Sequence, residues 1–319
     1  MPIVKSKFKA HFRFRSGFIS TVYSGLIRRL KIKQFRERII LRDQDFIDLD
    51  WSYSPTPSKS VIILFHGLEG HGQRPYITGA ALHFNEQNID AICVNFRCCS
   101  GELNKYYTTY HSGKTDDVED IIKHVVSLNK YDSIFLKGIS LGGNILLKYL
   151  GDGSIVPSQV KAAMAVSVPC DLSGSAKALH APRNLAYHIN FKWALVNRLK
   201  LKQKQFPEAI SKAKIRTIKT LNDFDEVYTS RAHGFKNAQD YYTKCSSLQF
   251  LNAIKIPVLI LNAINDSFLS EACYPFKEAE TNPNVFLETP KRGGHVGFIC
   301  RNGYYYNETR ALDFFLETK

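Results

Sequence analysis

The stretch from Ser133 to Gly151 constrains the fold of this chain more than any other. It opens with a short apolar run, 133–136, whose length and composition are typical of a buried strand. The pentapeptide Gly138-Ile139-Ser140-Leu141-Gly142 follows, and residues 144–150 then have helical spacing. A strand, a G-x-S-x-G turn and a helix in this order predict a nucleophile elbow, in which the Ser140 hydroxyl stands exposed at the top of a sheet.

The chain around this stretch alternates between strand-like and helix-like segments. Such a β-α-β rhythm predicts a mostly parallel sheet with right-handed crossovers and helices on both faces. Helices are predicted over 76–87, from 117 to about 129 with a capping box at Asp116 and Glu119, and over 303–317. Eight strands are predicted, the first two as a hairpin: 38–42, 46–51, 61–65, 89–96, 133–136, 160–168, 257–263 and 285–288.

The rhythm breaks at Asp171 and resumes near Ile256. The residues between have no strong strand pattern, and a structureless loop of that length is uncommon in a compact domain. We therefore expect irregular helices that form a cap over the sheet. The predicted organisation is a basic N-terminal arm, a sheet-containing core in two pieces and a cap insertion, over 1–37, 38–170 with 246–319, and 171–245.

Two further segments follow predicted strands at the edge where Ser140 lies. Asp266 comes after the strand 257–263, and His295 comes after the strand 285–288. Because the carboxyl ends of parallel strands meet at one edge, these side chains are expected close to Ser140. His295 would take the proton of the serine hydroxyl and return it to the leaving group, and Asp266 would orient the imidazole.

The expected chemistry also needs donors for the oxyanion that forms when the serine attacks a carbonyl. The backbone N–H of Leu141, directly after the nucleophile, is one predicted donor. The backbone N–H of Leu68, in the turn after the strand that ends at Phe65, is the second. No zinc site is expected, since no Cys/His pair has zinc-site spacing.

Other interpretations of these residues stay open at this point. Asp266 would serve as the N-cap of a helix over 268–276, and His295 as a structural turn residue between glycines. His66 is expected to brace the oxyanion turn rather than act as a base. The remaining candidates are less well placed, because they lie in loops, at a helix start or in the cap: His111, His180, His188, His233, Asp116, Asp117, Asp223 and Asp225.

Charge and cysteine usage bear on location and partners. Of the net charge of +14, residues 1–40 carry +10 and residues 191–220 carry +8. A solvated basic surface explains this, and so does peripheral contact of arm and cap with an anionic membrane, with Phe8, Phe12, Phe14 and Phe18 interleaved. Nucleic-acid binding is not expected. The seven irregularly spaced cysteines predict reduced thiols, and no apolar run spans a bilayer, so we expect a cytoplasmic protein, either free or membrane-peripheral.

Six motifs of the sequence resemble the YheT-like branch of the α/β-hydrolase superfamily, a group of esterase- and lipase-like enzymes. The similarity covers nearly the whole chain, including the hairpin from Arg38 to Trp51. The sequence departs from the family pattern at Cys98, at Asn265 and Ser267, and at His71-Gly72-Gln73-Arg74. The matching stretches are 66–70, 95–101, 110–117, 138–144, 233–235 with 240–242, and 293–298.

The resemblance implies an α/β-hydrolase fold, a charge relay of Ser140, Asp266 and His295, and hydrolysis of carboxylic esters without a cofactor. The predicted function is a serine carboxylesterase for short- to medium-chain esters or lipids, monoacylglycerols among them, acting through an acyl–Ser140 intermediate. Two alternatives remain: an acyltransferase that uses the same acyl-enzyme, and a non-catalytic binding protein with this fold. The oligomeric state is not predicted.

Overall fold

The structure, a computed structural model, describes residues 2–28, 30–300 and 305–318. Arg29 of the basic arm and residues 303–304 of the predicted closing helix lie outside them. A single sheet runs through the described part of the chain and contains nine strands: β1 (Ile3–Val4), β2 (Phe35–Ile40), β3 (Phe46–Ser52), β4 (Ser60–Phe65), β5 (Asp90–Asn95), β6 (Ser133–Ile139), β7 (Val160–Val166), β8 (Val258–Leu261) and β9 (Val285–Glu288).

The order across the sheet is β1-β9-β8-β7-β6-β4-β5-β3-β2. All neighbours are parallel except β5 with β3 and β3 with β2, which are antiparallel. The prediction of a mostly parallel sheet is confirmed, but the predicted count of eight strands is wrong. The ninth strand is β1, where Ile3 pairs with Leu287. A strand of two residues has no periodicity from which it could be predicted.

Twelve α-helices and several shorter turns connect the strands in the described residues. The predicted capping box is wrong: α3 begins after Lys114 without a side-chain cap, and Asp116 lies inside its first turn. The short 3₁₀ segments are Phe12–Phe14, Pro182–Asn184, Ser247–Ala253 and Glu271–Cys273, and π turns span Tyr23–Ile27 and Asp225–Thr229. The α-helices are α1 (Gly17–Val22), α2 (Pro75–Asn85), α3 (Thr115–Ser127), α4 (Leu141–Gly151), α5 (Leu172–His180), α6 (Leu185–Gln205), α7 (Lys212–Arg216), α8 (Leu221–Phe224), α9 (Ser230–Ala232), α10 (Ala238–Cys245), α11 (Phe276–Thr281) and α12 (Tyr306–Glu317).

The core lies on both faces of the sheet, because the central strands are apolar throughout. In β4, Val61 and Ile63 face a cluster that contains residues of α3 and α4. Ile62 and Leu64 face the opposite cluster, to which α2 and α12 contribute. Successive side chains of a strand point to opposite faces, so a continuous apolar run requires a helix layer on each side. This layering fixes the carboxyl ends of the parallel strands as the open edge.

The helical insertion predicted between β7 and β8 is present as α5 to α10, with apolar clusters of its own. The predicted division of the chain into arm, core and cap stays a prediction. All seven cysteines are free thiols. Within the ranges that the structure describes, no helix is long and apolar enough to cross a membrane, and no group of three or more His, Cys, Asp or Glu side chains is arranged to hold a metal ion.

Candidate active site

Ser140 lies at a sharp turn between β6 and α4, with a φ of 54° and a ψ of −121°. A positive φ is unfavourable for a residue with a β-carbon, so the surrounding contacts must hold it in place. Close packing of the turn depends on its glycines. A β-carbon on Gly138 would lie 2.6 Å from the carbonyl oxygen of Gly142, and one on Gly142 would lie 2.5 Å from the carbonyl oxygen of His66. The strand, the helix and the neighbouring strand β4 therefore meet backbone to backbone around Ser140.

The three predicted catalytic side chains meet at the open edge of the sheet. Nε2 of His295 is 2.9 Å from Oγ of Ser140, and Nδ1 of His295 is 2.8 Å from Oδ2 of Asp266. The Asp266 side chain is fully buried, and its Oδ1 also accepts a hydrogen bond from the backbone N–H of Phe268. A carboxylate at Nδ1 favours the tautomer in which Nε2 is unprotonated and able to accept the serine proton.

The two predicted oxyanion donors lie beside this triad. Leu141 is the first residue of α4, and Leu68 lies in a turn closed by a bond from the N–H of Gly70 to the carbonyl of Gly67. Gly67 packs so closely that a β-carbon there would lie 3.1 Å from Cβ of Ser140. Among the described residues, neither the N–H of Leu68 nor that of Leu141 donates to another group. Both N–H groups are thus free to bind an oxygen next to the serine.

Comparison with known proteins agrees with this arrangement. The family model of the alpha/beta hydrolase fold matches residues 60–301. "Putative esterase YheT" of Escherichia coli (strain K12) is 32% identical over 292 residues, which are 90% of this chain and 85% of that protein. The chain belongs to the α/β-hydrolases, in their YheT-like branch.

More distant similarities point the same way. "Phospholipase ABHD3" of Mus musculus is 32% identical over 277 residues, which are 83% of this chain and 67% of that protein. Among solved structures, an esterase of Pyrococcus furiosus superposes with a TM-score of 0.63 at 14% identity, covering 92% of this chain and 95% of that one. At that identity the structural match supports the α/β-hydrolase fold alone.

The loop that carries His295 in this α/β-hydrolase is held by hydroxyl groups of the N-terminal arm. Oγ1 of Thr21 accepts the backbone N–H of His295 at 2.9 Å. Oγ of Ser20 donates to the carbonyl of Gly293, and Oγ of Ser24 donates to the carbonyl of Gly297. Gly293 and Gly294 have φ values of 147° and 58°, a region that glycine enters without strain. The arm therefore supports the loop that carries His295, a contact that the sequence did not indicate.

Two buried residues from other parts of the chain complete the support of His295. The ring of Phe268 stacks on the imidazole, with ring centroids 4.3 Å apart. Oγ of Ser167, which follows β7, accepts the backbone N–H of Val296 at 2.9 Å. The spacing of these residues in the sequence bears no fixed relation to His295, so pattern reasoning could not find them.

An ion pair joins the oxyanion turn to helix α6. Nη1 of Arg198 is 2.8 Å from Oε1 of Glu69, the residue that follows the predicted donor Leu68. The hydroxyl of Tyr110 accepts the backbone N–H of Glu69 and donates to the same carboxylate. Both charged side chains are largely buried, so the pair is shielded from solvent screening. Helix α6 is thereby tied to the backbone that presents the Leu68 N–H.

Cavities open on two sides of Ser140. The first encloses about 1010 Å³, part of it open to solvent, and is walled mainly by apolar side chains of α5, α6 and the segment 221–242. The second encloses about 1090 Å³ and is lined by His295 and Arg74, by Thr21 and Val22 of the arm, and by residues of α6. Leu68 and Phe268 line both. The arrangement offers one apolar and one more polar compartment to a molecule bound at the serine.

His66 has the bracing role predicted for it. Nδ1 bonds the carbonyl of Gly67 at 2.7 Å, and Nε2 accepts the backbone N–H of Phe96. Complete burial lowers the pKa of His66 to about 3, so the ring stays neutral at physiological pH. With both nitrogens engaged, His66 fixes the turn that carries Leu68.

The other candidate side chains have structural environments. Asp117 forms a bidentate ion pair with the buried Arg97 instead of capping a helix. Asp223 belongs to a capping box at the start of α8, whereas Asp225 accepts hydrogen bonds from Thr229 and Tyr242. Burial raises the pKa of Asp225 to about 6. His111 with His233, and His180 with His188, form ring contacts, and among the described residues none of these four rings is hydrogen-bonded to a carboxylate.

Proposed function

We propose that this α/β-hydrolase is a carboxylic ester hydrolase that works through an acyl-enzyme on Ser140. The observation that carries the proposal is the hydrogen-bonded series Ser140–His295–Asp266, with contacts of 2.9 and 2.8 Å. The names of the relatives, an esterase and a phospholipase, support an ester or lipid as substrate. A non-catalytic binding protein with this fold would have no need of a serine, a histidine and an aspartate hydrogen-bonded in series.

Each group has one task in the proposed cycle. Oγ of Ser140 attacks the ester carbonyl while its proton moves to Nε2 of His295, and the N–H groups of Leu68 and Leu141 bind the resulting oxyanion. Collapse of this intermediate breaks the bond between acyl carbon and alcohol oxygen, and His295 returns the proton to the departing alkoxide. Water then attacks the acyl-enzyme by the same route and releases the acid. Asp266 stays ionised and stabilises the imidazolium throughout.

The two cavities suggest which half of the ester each one takes. The proton on Nε2 must reach the alcohol oxygen, and His295 lines the second cavity but not the first. We therefore assign the alcohol portion to the second cavity and the acyl chain to the first, whose apolar walls suit a hydrocarbon chain. Burial of apolar surface contributes about 0.8 kcal/mol per methylene, so acyl length should affect kcat/KM strongly.

The deciding experiment measures hydrolysis of p-nitrophenyl esters together with labelling by a fluorophosphonate probe. We expect Ser140→Ala to lose both, and the control Ser173→Ala, which changes a serine of α5 outside both cavities, to keep both. Equal hydrolysis by wild type and Ser140→Ala would disprove the assignment. Products formed with an added alcohol show whether water or alcohol accepts the acyl group, and predominant transfer to the alcohol would make the enzyme an acyltransferase.

A pair of alanines tests the orientation of the substrate. Ala176 lines the first cavity and Ala194 lines the second. Ala176→Phe should lower kcat/KM for longer acyl chains and leave the preference for the alcohol unchanged, and Ala194→Phe should do the reverse. The opposite pattern would mean that the ester binds the other way round. The basic arm and α6 favour an anionic membrane as the source of such an ester.

A further inference from the structure

Helix α6 exposes a row of large apolar side chains to solvent. Leu185, Ile189 and Trp193 are 54%, 51% and 66% exposed. They are four residues apart, so they lie on one face of the helix over its first three turns. A contiguous apolar row at the surface is unusual for a side of the molecule that contacts only water.

The N-terminal arm extends this row. Phe12, Phe18 and Ile19 are exposed, and the ring of Phe18 lies 5.6 Å from the ring of Tyr187 on α6. The hydroxyl of Tyr187 also donates to the carbonyl of Phe18. The structure thus places α1 beside the exposed face of α6. We name the six exposed residues the apolar rim: Phe12, Phe18, Ile19, Leu185, Ile189 and Trp193.

Two of the four phenylalanines considered for membrane contact face inward instead. Phe8 packs against Phe298 and Tyr306, and Phe14 packs against Tyr23. The apolar contribution of the arm is therefore smaller than its sequence indicates, and the arm and α6 supply three residues of the rim each.

One residue of the apolar rim, Trp193, also lines the second cavity. Tyr187 of α6 and Val22 of the arm line the same cavity, and so do Ser140 and His295. A flat surface in contact with Trp193 would therefore lie next to the cavity that contains Ser140 and His295.

The two segments of sequence that supply the rim carry charge of a single sign. Residues 172–207 contain seven Lys or Arg and no Asp or Glu, and residues 1–36 contain ten and none. Five basic side chains on the arm, on α5, on the segment after it and on the first turns of α6 have no ion-pair partner among the described residues: Arg13, Arg15, Lys177, Arg183 and Lys192. Unpaired cations next to exposed apolar side chains match a surface that is anionic outside and apolar beneath.

We propose that the apolar rim and these five cations dock this enzyme on an anionic lipid bilayer, with the second cavity facing the lipid. The proposal deepens the proposed function. Docking itself needs no turnover, and only its purpose, the delivery of a lipid ester to Ser140, rests on the proposed function. A bilayer fits better than a second copy of the chain, since two copies would bring their unpaired cations together. Lipid that entered the second cavity would reach Ser140 without crossing bulk water.

Sedimentation with vesicles tests the docking separately from catalysis. We use the full chain carrying Ser140→Ala, which hydrolyses nothing, with phosphatidylcholine vesicles that contain or lack phosphatidylserine. Binding should require phosphatidylserine and weaken with added salt. The emission of Trp193 should shift to shorter wavelength on binding, because Trp51, the other tryptophan, is buried already.

Variants on one helix identify the surface. Leu185→Asp with Ile189→Asp should weaken binding by roughly tenfold or more, because two charges replace two inserted side chains. The matched control is Leu201→Asp, also exposed on α6 but two turns beyond Trp193 and about 80–160° around the helix from the three residues of the row, and it should bind as before. All three proteins, with Ser140 restored, should hydrolyse a soluble p-nitrophenyl ester at similar rates, which verifies their folding.

Three results would overturn the proposal. They are equal binding with and without phosphatidylserine, equal binding by the double variant and the parent protein, and self-association that the double variant abolishes in the absence of vesicles. The last would assign the rim to a second copy of the chain. Loss of ester hydrolysis in the wild type would disprove the proposed function and leave the vesicle result standing.

Discussion

The elbow at Ser140 and the loop at His295 each present one side chain of the candidate triad, and they differ in where their supports lie in the sequence. The elbow is built from consecutive residues of β6 and α4, with Gly138 and Gly142 permitting the close approach. The loop takes its supports from Thr21, nearly the whole length of the chain away, and from Ser167.

The difference shows that two parts of one active site can be held in place by different kinds of contact. A strained turn within one β-α unit is fixed by local backbone packing, because any movement would open gaps between strand and helix. A loop after the last strand of a sheet has no such neighbours, so other segments must supply hydrogen bonds. The arm does this here with three hydroxyl groups, Ser20, Thr21 and Ser24.

The largest effect should come from removing the imidazole. His295→Ala should lower kcat by about 10⁴, because the serine loses its base, while the free energy of unfolding stays close to that of the wild type. If elbow and loop act as one unit, the double variant with Ser140→Ala should be no slower than either single variant. Steady-state kinetics of the three proteins checks this. Losses that add in the double variant would mean that the two side chains act separately.

A smaller but still large effect should follow from filling the elbow. In Gly142→Ala the new β-carbon would lie 2.5 Å from the carbonyl oxygen of His66 and 2.7 Å from that of Phe65. Backbone cannot yield as a side chain does, so the turn that carries Leu68 must move. Loss of one oxyanion donor lowers kcat roughly 10²–10³-fold, and overpacking destabilises by about 1–3 kcal/mol.

The matched variant for the elbow is Gly143→Ala. Its β-carbon would lie 2.6 Å from Cγ2 of Val168 and 3.2 Å from the carbonyl oxygen of Gly138, so its tightest contact is with one side chain instead of two backbone carbonyls. We expect a smaller loss of turnover and of stability, measured by ester hydrolysis and denaturant unfolding. If Gly143→Ala is the more damaging of the two, the backbone contact at Gly142 is not what holds the elbow.

Sequence reasoning succeeded where the signal was local. The strand before Ser140, the glycines and the following helix are consecutive, and the positions of Asp266 and His295 follow from the rule that parallel strands share a carboxyl edge. Strand β1 was missed because two residues carry no period. The capping box at Asp116 was wrong because α3 begins at Thr115, with Asp116 inside its first turn, and Glu119 pairs with Arg42 and Lys123 instead.

The residues that support the site could not be predicted from the sequence, and the reason is physical. Thr21, Phe268 and Glu69 are ordinary polar or apolar residues whose role depends on which segment lies against them in three dimensions. The arm shows this most plainly, since its sequence is notable for charge, whereas its contribution to the site comes from uncharged hydroxyls. Pattern and periodicity describe one segment at a time and contain no information on such contacts.

A moderate effect should come from removing the arm's contact with the loop. Thr21→Val keeps the shape of the side chain but removes the oxygen that accepts the N–H of His295. Loss of a hydrogen bond of about 1–1.5 kcal/mol in the transition state lowers kcat about tenfold, and KM should stay within about twofold because valine keeps the shape with which Thr21 lines the second cavity. Kinetics against pH should show the same loss across the plateau.

Two companions of Thr21→Val separate positioning from general damage. Thr21→Ser restores the oxygen and should recover most of kcat, a result that a purely structural role of the methyl group would not give. Thr281→Val, at an exposed threonine of α11, should leave kcat unchanged. Full activity of Thr21→Val would show that the loop holds His295 without the arm.

The smallest effect on turnover should come from removing a contact between β6, the strand that leads into the elbow, and helix α12. Lys137 is fully buried in β6, and its Nζ donates to the backbone carbonyl and to Oδ1 of Asn307 on α12. Burial lowers the pKa of Lys137 from 10.5 to about 8. Between these values the unfolded chain binds more protons than the folded protein, so the free energy of unfolding contributed by this group rises with pH from about 8 to 10.5.

Lys137→Met should remove this slope while kcat changes little, because Lys137 lines neither cavity at Ser140 and bonds Asn307 of α12 instead. The difference in unfolding free energy between wild type and variant should grow in favour of the wild type by up to about 2–3 kcal/mol from pH 8 to pH 10. Lys161→Met, at an exposed lysine of β7, should show no such change. A pH-independent difference for Lys137→Met would mean that its ammonium is solvated, and a large loss of kcat would mean that the elbow, like the His295 loop, depends on distant support.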